Sequence, residues 1–183
     1  ISEKLLFIKT IRTFLKNFMI FIPVLSLIIL ATYSIKIKKR KNSKLDIRKK
    51  FILLGFIIGP IIGCGIIANW YFKDQWGRAR PVQVTEFNGD KIFTPPFVKT
   101  NQCEKNCSWI SGEGSAAFSF FFGTIILKNP IFFILNLIFG IIVSFCRILM
   151  GGHFLSDNLF ACFFMLYLAL IYRFCVFKFL KKN

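Results

Sequence analysis

Histidine is almost absent from this sequence, because His153 is the only one in 183 residues. Any imidazole chemistry therefore has to use that residue. Acidic residues are also few, eight against 25 lysines and arginines, and the chain offers no credible cluster of metal ligands. We therefore expect neither a metal site nor any other cofactor.

Hydrophobic residues are abundant, at 55% of the chain, with 25 phenylalanines and a mean hydropathy of +0.62. This exceeds what a soluble domain of this size can bury, so a lipid bilayer is the natural solvent. The net charge of +17 could suggest nucleic acid. However, the basic residues cluster at the ends of apolar runs and form no patch interleaved with exposed aromatics. Their placement indicates membrane topology and no nucleic-acid partner.

A membrane-spanning helix needs roughly 20 apolar residues. Five stretches meet or approach that length, so we predict an all-α, multi-pass transmembrane bundle with short loops, forming a single domain over residues 1–183. The predicted spans are residues 18–35, 51–72, 111–127, 130–149 and 154–177. The chain begins at Ile1 without a methionine, so we expect a missing upstream segment and six spans in the complete protein.

Basic residues predict the orientation, because loops rich in lysine and arginine stay in the cytoplasm. Residues 36–50 carry nine basic residues against Asp46 alone, and the C-terminal tail is basic too. Both are assigned to the cytoplasmic side of the membrane. Residues 73–114 balance six basic residues against five acidic ones and are predicted to form the outer loop.

The N-terminal residues 1–17 alternate basic and apolar side chains. This pattern suits an amphipathic helix lying in the membrane interface. The alternative is a plain extension of the next span. Either way, the predicted topology puts this basic segment on the outer side, where the charge rule disfavours it.

The same topology brings three polar clusters to the outer face. They are KDQWGRARP (residues 73–81), SWISGEGS (residues 108–115) and RILMGGHFLSD (residues 147–157). Charged groups near a membrane are costly unless they serve a ligand or one another. Three cations, Lys73, Arg80 and Arg147, converging with His153 therefore predict a receptacle for a phosphate group.

Each cluster also has a simpler structural explanation. The cations of the first could anchor a helix end at the interface. Ser111 and Glu113 could cap a helix, and Asp157 could form a local helical pair with His153. These explanations do not account for all three clusters occurring in this order on one face, so we favour a site.

The clusters resemble the signature of the type 2 phosphatidic acid phosphatase superfamily. Its membrane members remove phosphate from lipids, and its soluble relatives include vanadium haloperoxidases. The first part of the signature is a lysine, six residues and Arg-Pro, which Lys73 and Arg80 match here. The third part is an arginine, five residues, a histidine, three residues and an aspartate, which Arg147, His153 and Asp157 match.

The second part of the signature, Ser-Gly-His, is altered. Ser111 and Gly112 are present, but Glu113 stands where the family has histidine. The segment FNGDKIFTPPFVKTNQCEKNCSWISGEGS, together with GGHFLSD, also looks like the bacterial lipid A phosphatases, closest to those acting at the 4′ position.

The resemblance implies a role for each residue. His153 would attack phosphorus and form a phosphohistidine, and Asp157 would accept a hydrogen bond from the other ring nitrogen and so fix the tautomer. Phosphoryl oxygens would be held by Lys73, Arg80, Arg147, the Ser111 hydroxyl and the Gly112 amide. The cations would do the work of a metal ion, so none is required.

Glu113 has two possible roles. If burial keeps its carboxyl group protonated, it can donate a proton to the departing oxygen as the family's histidine does. If the neighbouring cations keep it ionised, it is a structural acceptor for Lys73 or an arginine, and water or the substrate supplies the proton. The sequence leaves both open.

Two of the six cysteines are predicted to be paired. Cys103 and Cys107, in CEKNC, lie in the outer loop, where an oxidising periplasm would permit a disulfide that fixes the second cluster. Free thiols are the alternative. The remaining cysteines fall within or beside apolar spans, where a reduced thiol behaves as a small hydrophobic group.

We therefore expect a lipid phosphatase that cleaves a phosphomonoester of lipid A or a related glycolipid. The resemblance implies that it lies in a bacterial inner membrane, with its active site facing the periplasm. Its partners are the phosphorylated lipid and the bilayer, and no obligate protein partner is inferred. The nearest enzymatic alternative is a phosphatase for undecaprenyl pyrophosphate or phosphatidylglycerol phosphate. An alternative of another class is a phospholipid-binding membrane protein that has lost turnover with the second histidine.

Overall fold

The computed structural model describes residues 3–37, 43–127 and 129–182. These residues form helices and loops without a β-strand. Four of the helices are long and apolar enough to cross a membrane: Leu5–Ile35, Lys44–Lys73, Pro130–Leu149 and Leu155–Lys181. The predicted all-α, multi-pass bundle is confirmed.

The first helix, α1, runs without interruption from Glu3 to Ile37. The segment predicted as an interfacial helix is thus continuous with the first span, as in the alternative interpretation. The inner face of α1 packs through Met19 against Ala117, Phe120 and Val143. Many of its other large apolar side chains are exposed, as expected for a helix at the lipid-facing rim of a bundle.

Helix α2 (Lys44–Ile58) begins inside the segment predicted as the basic loop of residues 36–50. The Ser43 hydroxyl accepts a hydrogen bond from the Asp46 amide at 3.2 Å, and the Asp46 carboxylate accepts one from the Ser43 amide at 3.1 Å. This reciprocal cap satisfies two amides that a helix start would otherwise leave unpaired. Residues 38–42 of the predicted loop lie outside the described residues.

Helix α2 continues as a π-helical stretch (Gly59–Lys73) and one further turn, α3 (Asp74–Trp76). The stretch begins at Gly59 and Pro60, and proline has no amide hydrogen for the α-helical bond. The small residues also permit close packing. A Cβ added to Gly59 would lie 2.3 Å from the Ser119 carbonyl oxygen, and one added to Gly63 would lie 2.4 Å from the Met165 sulfur.

The predicted third span, residues 111–127, is divided into α4 (Gly112–Phe118) and α5 (Phe121–Thr124). It runs antiparallel to α2, because the Gly112 carbonyl contacts the Cys64 thiol at 3.2 Å while the Ile126 carbonyl accepts from Arg48 Nε at 3.2 Å. Its phenylalanines at 118 and 120–122 are all buried. The other helices surround this segment, so a short, broken helix suffices to traverse the bundle.

The last two helices are α6 (Pro130–Leu149) and α7 (Leu155–Lys182). Asn129 caps α6 through its side-chain oxygen, which accepts from the Ile131 amide at 2.9 Å, and Pro130 occupies the first helical position. The short link between α6 and α7 turns at Gly151, whose φ is 62°. This link carries His153 to the same end of the bundle as the start of α4.

Candidate functional site

The structure brings the three predicted polar clusters together at one end of the bundle. Lys73 ends the π-helical stretch, residues 111–113 begin α4, and the third cluster covers the end of α6 and the start of α7. The Ser111 amide donates to the Asp157 carbonyl oxygen at 3.2 Å, and Arg147 Nε lies 3.7 Å from Glu113 Oε1. Lys73 and Gly112 line the same cavity, and a Cβ added to Gly112 would lie 3.1 Å from Lys73 Nζ.

His153 is held in one tautomer. Its side chain is 1% exposed, and its Nδ1 lies 2.8 Å from the Ser108 carbonyl oxygen. A carbonyl oxygen can only accept, so Nδ1 carries the proton and Nε2 keeps its lone pair. Burial also lowers the pKa of His153 below its usual value, ~6.5. The imidazole is therefore neutral and able to act as a nucleophile through Nε2.

Asp157 lies beside the imidazole, and its hydrogen bonds go to the groups around His153. Asp157 Oδ2 is 3.6 Å from His153 Nδ1, beyond hydrogen-bonding distance. Asp157 instead accepts from the Ser108 hydroxyl at 2.5 Å and from the Phe154 amide at 2.8 Å. It thus holds both Ser108, whose carbonyl faces the imidazole, and the backbone beside His153. Asp157 therefore supports the groups on both sides of the imidazole.

Asp157 is held in turn by Arg78, a residue that the sequence analysis did not select. Arg78 and Asp157 are both fully buried and form an ion pair through Arg78 Nη1. Arg78 Nε also donates to the Thr94 carbonyl oxygen at 2.9 Å, and the guanidinium lies 4.5 Å from the centre of the Phe154 ring. The sequence signal was present, because KDQWGRARP contains a third cation that the family signature does not use.

The two cations of the first cluster are directed at one residue, Asn106. Lys73 Nζ and Arg80 Nη2 donate to the Asn106 side-chain oxygen at 3.0 and 2.8 Å. Arg80 also donates to the Asn106 carbonyl oxygen, at 3.0 Å from Nε and 2.7 Å from Nη2. The two cations therefore converge on one pair of oxygen acceptors, which is the geometry that a phosphoryl group requires.

Asn106 lies in a small loop closed by a disulfide. Cys103 and Cys107 are bonded, with their Cα atoms 5.6 Å apart, as the sequence analysis predicted. Asn106 itself has a φ of 54°, a left-handed conformation that asparagine tolerates better than most residues. The other four cysteines are free. The loop thus fixes the group that Lys73 and Arg80 face.

Glu113 is paired with Arg12, which the sequence analysis also missed. Arg12 Nε lies 3.1 and 2.9 Å from the two Glu113 carboxylate oxygens, and Arg12 Nη2 makes a further ion pair with the first of them. A carboxylate that engages one guanidinium with both oxygens is an ionised acceptor. The arrangement is that of the second alternative, with an arginine from α1 as the partner. Arg12, one of the basic residues of the N-terminal segment, is thus paired with an acidic residue at this end of the bundle.

Arg147 retains an unused donor. Its side chain is buried, and Nε has no hydrogen-bond partner among the described residues. The guanidinium packs against Gly152, where an added Cβ would lie 2.4 Å from Nη2. The nearest acidic group is Glu113, whose Oε1 lies 3.7 Å from Nε, so the charge of Arg147 is partly balanced while this donor stays free to bind an anionic ligand.

Three relatives of known name are similar to this chain. A lipid A 4'-phosphatase of Francisella tularensis subsp. novicida is 39% identical over 172 residues, covering 87% of this chain and 75% of the relative. Lipid A 4'-phosphatases of Rhizobium etli and Rhizobium leguminosarum are 32% and 28% identical, covering 60% and 63% of this chain but 43% and 49% of their own lengths. No solved structure matches the chain significantly.

The family model of the PAP2 superfamily, the type 2 phosphatidic acid phosphatases, matches residues 49–181, which begin within α2, end near the end of α7 and leave α1 outside. The matched region contains all the residues of the predicted signature. The resemblance inferred from the three clusters is thereby confirmed, and this chain belongs to the PAP2 superfamily.

Proposed function

We propose that this protein removes a phosphate group from lipid A or a closely related phosphoglycolipid, with His153 as the nucleophile. The chain is a phosphomonoester hydrolase, as its PAP2 domain and the three named relatives indicate. The relatives' shared name supports lipid A as the substrate and the 4′ position as the bond cleaved. Four long apolar helices support a substrate that reaches the site from a membrane.

One observation carries the mechanism: the imidazole of His153 is fixed with its proton on Nδ1, at the same end of the bundle as Lys73, Arg80 and Arg147. In the proposed first step, Nε2 forms a bond to phosphorus and the bond from phosphorus to the lipid oxygen breaks. The cations stabilise the charge on the phosphoryl oxygens. The retained Nδ1 proton makes the phosphohistidine a good leaving group for the second step.

In the proposed second step, water hydrolyses the phosphohistidine. The departing lipid oxygen takes a proton from water, and the hydroxide left behind attacks phosphorus. The bond between nitrogen and phosphorus then breaks, inorganic phosphate leaves, and neutral His153 is restored. No metal ion takes part in this proposal, because the cationic side chains supply the electrostatic stabilisation.

The site is proposed to face the periplasm. The predicted basic loop and the site lie at opposite ends of the bundle, since Arg48 contacts Ile126 at one end and Cys64 contacts Gly112 at the other. The excess of basic residues between α1 and α2 supports a cytoplasmic position for that first end. The phosphate groups of lipid A would then be cleaved at the outer leaflet.

A panel of lipids tests the substrate and the class of protein together. Detergent-purified protein with EDTA present is expected to release phosphate from lipid A and not from phosphatidylglycerol phosphate or undecaprenyl pyrophosphate. Release from either of the last two instead would reassign the substrate. Lipid binding without release from any of them would identify the non-catalytic alternative. Loss of release in EDTA, restored by a divalent cation, would refute metal independence.

A second prediction concerns the proton donor. Replacing Glu113 with glutamine is expected to reduce kcat less than tenfold, because the carboxylate is ionised and engaged by Arg12. Loss of a true general acid costs roughly 10² to 10⁴ in rate. The Arg12→Gln variant and the Glu113→Gln/Arg12→Gln double variant should show the same modest loss, since all three remove one ion pair. A hundredfold loss in Glu113→Gln alone, largest at low pH where the wild-type carboxyl group is protonated, would make Glu113 the acid after all.

A further inference from the structure

Two cavities adjoin the site, and they touch different parts of it. One, of about 590 Å³, includes His153 in its lining, together with Leu149 and Leu155. The other, of about 430 Å³, lies between α1 and the π-helical stretch and includes Lys73, Gly112 and Glu113. Both volumes fall within the range of ligand sites, about 300 to 1,000 Å³. The direction of phosphoryl transfer indicates which of the two cavities binds the lipid.

In phosphoryl transfer the attacking and leaving atoms lie roughly in line on opposite sides of phosphorus. The nucleophile here is His153, so the lipid oxygen has to depart on the side away from that imidazole. The cavity of about 590 Å³ is on the nucleophile's side, because it includes His153 and none of the phosphate-binding residues. The cavity of about 430 Å³ touches Lys73 and Gly112 but not His153, which is the arrangement required of a leaving-group site.

Building on the proposed function, we infer that the sugar and acyl chains of the substrate occupy this second cavity, the cleft between α1 and the π-helical stretch. Its walls grade from charged to apolar. Lys16 and Lys73 supply cations near the phosphate end, and the rest is formed largely by Met19, Ile20, Pro23, Val24, Pro60 and Ala116. A glycolipid with an anionic, hydroxyl-rich head and hydrocarbon chains has the matching polarity.

The cleft is also open to lipid on its α1 side. Ile20 and Val24 are 57% and 51% exposed, and they lie on a helix whose most apolar stretch is only 11% buried. An acyl chain could therefore enter sideways from the bilayer without crossing the polar end. The Arg12 to Glu113 ion pair joins α1 to α4 near the phosphate end and holds this wall of the cleft in place.

The position of α1 suits a determinant of substrate choice. The PAP2 match begins at residue 49, so α1 lies outside the region shared across the superfamily, whereas the phosphate-binding signature lies inside it. The site is therefore formed by two parts of the chain, the region shared across the superfamily and the separate helix α1. The signature residues act on the phosphate, and α1 contacts the lipid that carries it.

Photolabelling tests the cleft without turnover. The His153→Ala protein is incubated with lipid A that bears a diazirine in an acyl chain, irradiated, and mapped by peptide mass spectrometry with and without excess unlabelled lipid A. We expect competed labelling within residues 16–24 of α1. Competed labelling at Leu149 or Leu155 instead, or no competed labelling at all, would overturn the inference. This result is independent of whether the wild-type protein releases phosphate, which tests the proposed function.

Tryptophan substitutions in the otherwise wild-type protein test the cleft by enzyme kinetics. Ile20→Trp and Val24→Trp are expected to raise KM for lipid A at least tenfold, with hydrolysis of p-nitrophenyl phosphate unchanged within twofold, because that substrate has no chains. Leu27→Trp, equally exposed on the same helix but outside the cleft, should leave both substrates unaffected. The inference would be overturned if Leu149→Trp were the only variant to lose activity selectively on lipid A. It would also be overturned if Ile20→Trp and Val24→Trp lost activity equally on both substrates.

Discussion

Replacement of His153 with alanine is expected to lower phosphate release by roughly 10⁴-fold or more, the scale seen when a hydrolase loses its nucleophile. No other imidazole can substitute, because the sequence contains a single histidine. The alanine variant also leaves the Ser108 carbonyl oxygen without its hydrogen-bond donor. His153→Gln retains a donor and more of the side-chain volume, so it separates loss of the nucleophile from loss of local structure.

The measurement is single-turnover phosphate release together with acid- and base-quenched labelling by substrate carrying ³²P. Wild-type protein should yield a label that is stable in base and lost in acid, as a phosphohistidine is, and both variants should yield none. The melting temperature of the glutamine variant in detergent should stay close to that of the wild type. Activity within tenfold of wild type in His153→Gln would show that another group attacks phosphorus.

Replacement of Arg78 with methionine is expected to destabilise the protein by about 3 to 5 kcal/mol, the usual cost of removing one partner of a buried ion pair. Arg78 and Asp157 are both fully buried, so the remaining carboxylate would have no water to replace its lost partner. The same change should reduce activity, because Asp157 holds Ser108 and the backbone at Phe154 around His153, the proposed nucleophile.

Thermal or denaturant unfolding in detergent measures the loss of stability, and the Arg78→Met/Asp157→Asn double variant controls for charge. The double variant should be more stable than Arg78→Met alone, since it leaves no buried unpaired charge, yet it should remain impaired in turnover. Arg173→Met, on the exposed face of α7, is the matched control and should change stability by no more than about 0.5 kcal/mol. A double variant as unstable as Arg78→Met would refute the electrostatic explanation.

Helix α1 contributes one charged residue to the site, Arg12. Arg12 comes from a helix outside the PAP2 match and engages the one residue that departs from the family signature, Glu113. A histidine at that position could not form this bidentate ion pair, because it has no carboxylate. The altered signature and the N-terminal arginine therefore form one feature, even though 101 residues separate them in the sequence.

The sequence by itself determined the solvent, the class of fold and the family, and it supplied the residues that we propose bind phosphate. Apolar runs of a helix-spanning length can only be accommodated by helices in a bilayer, so composition and spacing sufficed for the bundle. The spacing of Lys73 to Arg80 and of Arg147 to His153 and Asp157 carried the family resemblance. The pairing of Cys103 with Cys107 followed from their proximity and their predicted compartment.

Only the tertiary structure decided which groups pair with which. Arg12 with Glu113, Arg78 with Asp157 and His153 with the Ser108 carbonyl are long-range contacts, and partners far apart in sequence leave no local periodicity. The division of residues 111–127 into two short helices could not be predicted from the sequence for a related reason. Hydrophobicity reports that a segment is buried, but the length of helix that it needs depends on the helices that surround it.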